Sequence, residues 1–154
     1  MSRHTVKVRW TRGDAAFTDH RYSRRHVLRF DGGAEVPASS SEHSVPVPYS
    51  DPEAVDPEEA FVASISSCHM LWFLSIAARR GYRIDAYTDD AEGFLEKDAE
   101  GRMSMTRVVL RPRAVFSGDH APSTADIATM HDEAHHACYI ANSVKTAIGC
   151  EPCS

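Results

Sequence analysis

An α+β fold is predicted by the order of elements along the chain: short strands, one long helix, two β-rich segments, then a second helix. Three observations carry this. Residues 5–10 alternate apolar and polar side chains with the period of a half-buried strand. The motif Asp56-Pro57-Glu58-Glu59 opens a long apolar run, and Ser123-Thr124-Ala125-Asp126 opens a second apolar stripe of helical period. A doubly wound fold would alternate strand and helix throughout, so the sheet is expected to be antiparallel.

In residues 5–10, Val6, Val8 and Trp10 form one face and Thr5, Lys7 and Arg9 the other. Residues 25–30 supply a second strand, and Asp31-Gly32-Gly33 a turn of the kind that closes hairpins. A third strand is expected at residues 34–38 or 42–47. Pro46, Pro48, Pro52 and Pro57 then punctuate a loop. Asp56 reads as N-cap, Pro57 as the first helical residue and Glu59 as the partner that closes a capping box. Nothing breaks this helix before Gly81, and Arg79 and Arg80 complement the negative end of its dipole. It should therefore be about 36 Å long. Residues 82–97 and 103–116 read as two strands joined by a turn at 98–101. The second helix, with Ile127, Met130, Ala134 and Ala137 on its apolar stripe, should end near Cys138; residues 142–147 add at most a further turn or two before a tail.

A chain of 154 residues fits a single domain, 1–154, and 42% apolar with 25% charged residues is an ordinary globular composition. The formal charge of -5 and the scattered Lys and Arg argue against nucleic acid as a partner. Residues 60–78 lack Asp, Glu, Lys and Arg and nominally reach the length of a membrane span, but Ser64, Ser66, Ser67, His69 and Ser75 make them too polar to face lipid. The expectation is a soluble, cytoplasmic protein with no membrane partner, since residues 1–10 also lack the apolar region of a secretory signal. A helix apolar on nearly every side is hard to cover within so small a chain, which points to a homodimer.

The chemistry rests on Cys68, Cys138, Cys150 and Cys153, because thiols in a reducing compartment are catalytic, metal-binding or buried rather than structural disulfides. Cys68 lies mid-helix, about three turns from the start, where the dipole does little for it. Periodicity alone favours a small buried hydrophobe there, and any activation must come from a cation on another segment. Cys138 closes the second helix, where core packing is again the plain alternative. His131, His135 and His136 with Cys138 have metal-like spacing, but Asp132 stands where a zinc protease helix needs its Glu base, so a solvated His-rich face is favoured. Cys150 and Cys153 form a CxxC pair without the second pair of a zinc ribbon or the strand–helix context of a thioredoxin motif.

Three segments together resemble the OsmC/Ohr peroxidase family in order and spacing. They are Tyr22-Ser23-Arg24-Arg25-His26-Val27-Leu28-Arg29-Phe30-Asp31-Gly32-Gly33, Asp56-Pro57-Glu58-Glu59-Ala60-Phe61 leading to Ser66-Ser67-Cys68-His69-Met70, and His135-His136-Ala137-Cys138-Tyr139-Ile140-Ala141-Asn142-Ser143. The resemblance implies an OsmC-like fold, with antiparallel sheets packed on a long central helix in an interlocked homodimer. It further implies Cys68 as the peroxidatic thiol, Cys138 as the resolving one, Arg24 as the activating cation and Glu58 as the carboxylate that holds it. A hydroperoxide would be the substrate and an external dithiol the reductant, with no metal or organic cofactor. Met70, Trp72 and Phe73 are candidates for an apolar entrance that would select organic hydroperoxides. Because Arg25 follows Arg24, and neighbours on a strand face opposite ways, only one of the two can serve. A non-catalytic redox sensor or thiol-binding module on the same scaffold is the alternative from another class, and a zinc protein using the His/Cys cluster is a third.

Overall fold

The computed structural model describes residues 1–153. The chain divides into two compact units, Met1–Ala60 and Phe61–Ser154.

The first unit is an antiparallel meander. Strand β1 (Val6–Arg9) pairs with β2 (His26–Phe30), which pairs with β3 (Glu35–Ala38). Of the two places expected for the third strand, the chain uses the earlier. Gly33, at φ 88°, provides the left-handed turn residue between β2 and β3. Helix α1 (Pro57–Arg79) opens in this unit. Its capping box is reciprocal: the Glu59 amide donates to Asp56 Oδ1 at 2.7 Å and the Asp56 amide to Glu59 Oε2 at 3.0 Å.

In the second unit, α1 ends in a Schellman motif. The Tyr82 amide reaches back to the Ala77 carbonyl and the Gly81 amide to that of Ala78, with Gly81 at φ 78°. The two long strands expected next are each divided in two: β4 (Arg83–Asp89), β5 (Glu92–Lys97), β6 (Met103–Leu110) and β7 (Pro112–Ser117). The turn at 98–101 joins β5 to β6 as expected, but β4 and β7 pair in a separate two-stranded sheet. Asp89 accounts for the break. Its Oδ1 accepts the Arg111 amide at 2.6 Å, taking a donor that would otherwise continue the ladder where both arms change sheet.

Helix α2 (Thr124–Ala137) carries the expected capping box at Ser123 and Asp126, and Cys138 is its C-cap. A short 3-10 turn (Ala141–Ser143) follows, and then a strand that the sequence reading placed in a tail, β8 (Ala147–Cys150). It lies parallel to β6, with Arg107 opposite Ala147 and Leu110 opposite Cys150, so the β5-β6-β8 sheet is mixed rather than wholly antiparallel.

Two cores flank α1 in this unit. Phe73, Ile76 and Ala77 pack with Met130 and Ala134 of α2 and with Ile84, Tyr87 and Phe116 of the β4–β7 pair. Ile65 packs with Val108, Leu110 and Ile148 of the other sheet. Only Ile65, His69, Phe73, Ile76 and Ala77 of the 23 residues of α1 are buried, and Leu71 is 62% exposed. A helix apolar on nearly every side is hard to cover within so small a chain, and here much of it is left uncovered.

Candidate functional site

Cys68 is the twelfth residue of α1, half-buried, and Cys138 is the buried cap of α2. The structure brings these two thiols close enough for Cys68 to act on the Cys138 thiol. The backbone builds a nest around Cys138: the Ala141 amide donates to its Sγ at 3.4 Å, and the Asn142 amide to its carbonyl at 3.0 Å. Burial pushes the Cys138 thiol above its ordinary range, the Ala141 amide pulls the other way, and Cys68 raises it further. Trp72, one turn beyond Cys68, meets Tyr139 edge to face at 5.5 Å between centroids, so an aromatic pair flanks the thiols. Trp72 and Met70 are half-buried and able to line an approach, whereas Phe73 is fully buried and stacks on His131. Phe73 is therefore core rather than entrance.

Arg24 and Glu58 belong to the first unit. Arg24 lies just ahead of β2 and lines a cleft of about 410 Å³ with Trp10, Phe17, Tyr22, His26 and Ser40. Its Nη1 donates to the carbonyls of His20 at 2.7 Å and Tyr22 at 2.5 Å, and its guanidinium stacks 3.9 Å over the Tyr22 ring. Among the described residues, Nε and Nη2 of Arg24 have no acceptor, and Arg24 forms no ion pair with Glu58. Arg25 is exposed and pairs with Asp51. The two arginines thus face different surroundings, although both lie ahead of β2 and neither is in a strand.

A second cluster was missed by the sequence reading. His69 of α1 and His131 of α2, both buried, are hydrogen-bonded Nε2 to Nδ1 at 2.9 Å, and Cys150 Sγ of β8 lies 3.9 Å from His69 Nε2. Desolvation pulls His69 down to about 4, with Asp89 opposing and His135 adding to the fall; His131 is pulled to about 4 by desolvation and by His69. Burial, then the charges of Asp89, Asp132 and Glu151, pushes the Cys150 thiol up to about 12. The Tyr87 hydroxyl, raised by burial and by Asp89 and Cys150, is buried without a hydrogen-bond partner. The periodic signal for His69 was present, since it lies four residues after Ile65 and four before Phe73 on the buried face. His131 is therefore inside, not on a solvated face, while His136 is exposed. Cys153 is exposed, and its backbone amide donates to the Pro112 carbonyl at 2.9 Å.

Residues 50–152 match the model of the OsmC-like protein family. No curated protein sequence matches the chain. Among solved structures, an OsmC-like protein of unknown function from Vibrio cholerae is 53% identical, with TM-score 0.98 over 99% of this chain and 100% of that one. An organic hydroperoxide resistance protein OsmC from Legionella pneumophila shares the fold at 12% identity and TM-score 0.70, covering 99% of this chain and 96% of its own. The organic hydroperoxide resistance protein OhrB of Bacillus subtilis does so at 15% and 0.67, covering 99% and 98%. With the family model spanning most of the chain and a near-complete match to an OsmC-like structure, this protein belongs to the OsmC-like family.

Proposed function

We propose that the chain is a thiol-dependent peroxidase that reduces organic hydroperoxides through Cys68 and Cys138. The observation that supports it most is the juxtaposition of these two thiols, supplied by two different helices. The Cys68 thiolate attacks the distal oxygen of ROOH; the O–O bond breaks, ROH leaves after taking a proton, and Cys68 is left as sulfenic acid. The Cys138 thiol then condenses with it, releasing water and forming a Cys68–Cys138 disulfide, which an external dithiol reduces. Arg24 is the cation that favours thiolate at Cys68, acting through guanidinium edges that its own carbonyl contacts leave free, and Glu58 orients it on substrate binding. The Trp72–Tyr139 pair favours an organic over an inorganic peroxide. The working form is a cytoplasmic homodimer, whose second copy covers the exposed side of α1, including Leu71.

The test is turnover. With cumene hydroperoxide and excess dithiol, the enzyme reading expects many equivalents of peroxide consumed per chain. Consumption that stops at one equivalent would instead identify a redox sensor. Replacing Arg24 with Ala should lower kcat/KM by roughly 10- to 100-fold, in line with the loss of one electrostatic contact to a reacting anion. Arg25→Ala, which removes only the exposed pair with Asp51, should leave the rate within about twofold. The reverse ranking would reassign the guanidinium.

A further inference from the structure

Three elements of the second unit each deliver one metal-type donor to a single point: His69 from α1, His131 from α2 and Cys150 from β8. We propose that these three side chains form a zinc(II) site that is distinct from the Cys68–Cys138 thiol pair. Two imidazoles and a thiolate are a donor set suited to a borderline-soft divalent ion.

The spacing is close to what such an ion requires. Zn–N bonds of 2.0–2.1 Å and a Zn–S bond of 2.3 Å place neighbouring donors of a tetrahedral site about 3.3 to 3.6 Å apart. Here the two nitrogens are 2.9 Å apart, the His69 nitrogen and Cys150 sulfur 3.9 Å, and all three donors within 4.8 Å of one another. A small opening of the imidazoles and a small approach of the sulfur complete the triangle. Binding replaces the His69–His131 hydrogen bond with two Zn–N bonds, and the Cys150 S–H with a Zn–S bond, releasing one proton per ion.

The surroundings supply what the three ligands do not. The Tyr87 hydroxyl, which senses Cys150, is buried with no hydrogen-bond partner. Asp89, fixed by the Ser66 hydroxyl at 2.5 Å and the Arg111 amide at 2.6 Å, is the nearby carboxylate that offsets the charge left on a zinc–thiolate unit. The ion would also staple α1 to α2.

The test uses untagged, reduced, chelator-stripped full-length protein titrated with Zn²⁺ by calorimetry. One ion per chain is expected, with affinity kept in Cys68→Ser/Cys138→Ser and lowered about 100-fold or more by Cys150→Ser. Absence of stoichiometric uptake by the unaltered chain overturns the proposal, as does unchanged affinity in Cys150→Ser. A second measurement does not depend on how Cys150→Ser folds. In Cys68→Ser/Cys138→Ser/Cys153→Ser, Cys150 is the sole remaining thiol, so Co²⁺ must produce a thiolate-to-cobalt charge-transfer band. Lack of that band equally overturns the site.

Discussion

Cys68→Ser should abolish hydroperoxide turnover, with kcat/KM falling by at least about 10³-fold toward the uncatalysed rate, because a serine hydroxyl cannot replace a thiolate as the attacking group. Cys138→Ser should behave differently. Its first oxidation proceeds at close to the normal rate, but with no resolving thiol the sulfenic acid persists and a second equivalent of peroxide carries it on to sulfinic acid, so consumption stops after about one to two equivalents per chain. Stopped-flow peroxide consumption with intact-mass analysis separates the two, the second variant gaining one and then two oxygens. Cys153→Ser, which alters an exposed thiol, is the matched control. A Cys68→Ser protein that retains its rate would remove this cysteine from the mechanism, and a Cys138→Ser protein that cycles normally would make the disulfide step unnecessary.

The other large effect is on stability in acid. In the metal-free protein, His69 and His131 are held near 4, while in the unfolded chain an imidazole titrates near 6.5. Between these values the unfolded state binds more protons than the folded one, so stability rises with pH across the window and is lost as pH falls from about 6.5 toward 4. For the hydrogen-bonded pair taken together the loss is on the order of several kcal/mol, a large part of the 5–15 kcal/mol typical of a domain. Asp89 on β4 tempers the effect by favouring protonation of His69, and His135 on α2 strengthens it. Asp98 and Asp126 are held below the ordinary carboxylate range by hydrogen bonds, so their contribution is lost at lower pH and does not account for a slope above 4. Urea unfolding with chelator present, followed from about pH 7.5 to about 4.5 at fixed protein concentration, should show the loss; a flat profile would mean that the pair titrates normally.

What was legible in the sequence was local. Asp56 with Glu59, Ser123 with Asp126, and Gly81 after Arg79-Arg80 each satisfy groups within a few residues, so both helices were bounded to within a residue or two. The turn at 98–101 was legible for the same reason: Asp98 and Gly101 close it within four residues. The sheet change was not, because it rests on Asp89 capturing the amide of Arg111, 22 positions away. Nor was β8, whose pairing with β6 is not signalled by its four residues. In the candidate site, the adjacency of Cys68 and Cys138 was implied by family resemblance and not by periodicity. The expected Arg24–Glu58 pair is not formed among the described residues. The His69, His131 and Cys150 cluster spans separations of 62 and 81 residues, and local patterning carries no information over such distances.

The parallel pairing of β8 with β6 also orders events in time. Strands β5 and β6 meet across a short turn, whereas Arg107 finds Ala147 only after the intervening chain, β7 and α2 included, has been gathered in. Closing a loop of about 40 residues instead of about 5 costs roughly 2 kcal/mol more entropy. The hairpin therefore forms early and β8 docks late, onto an edge that is already built. Since Cys150 arrives with β8, the cluster of His69, His131 and Cys150 is complete only once that strand has closed onto β6.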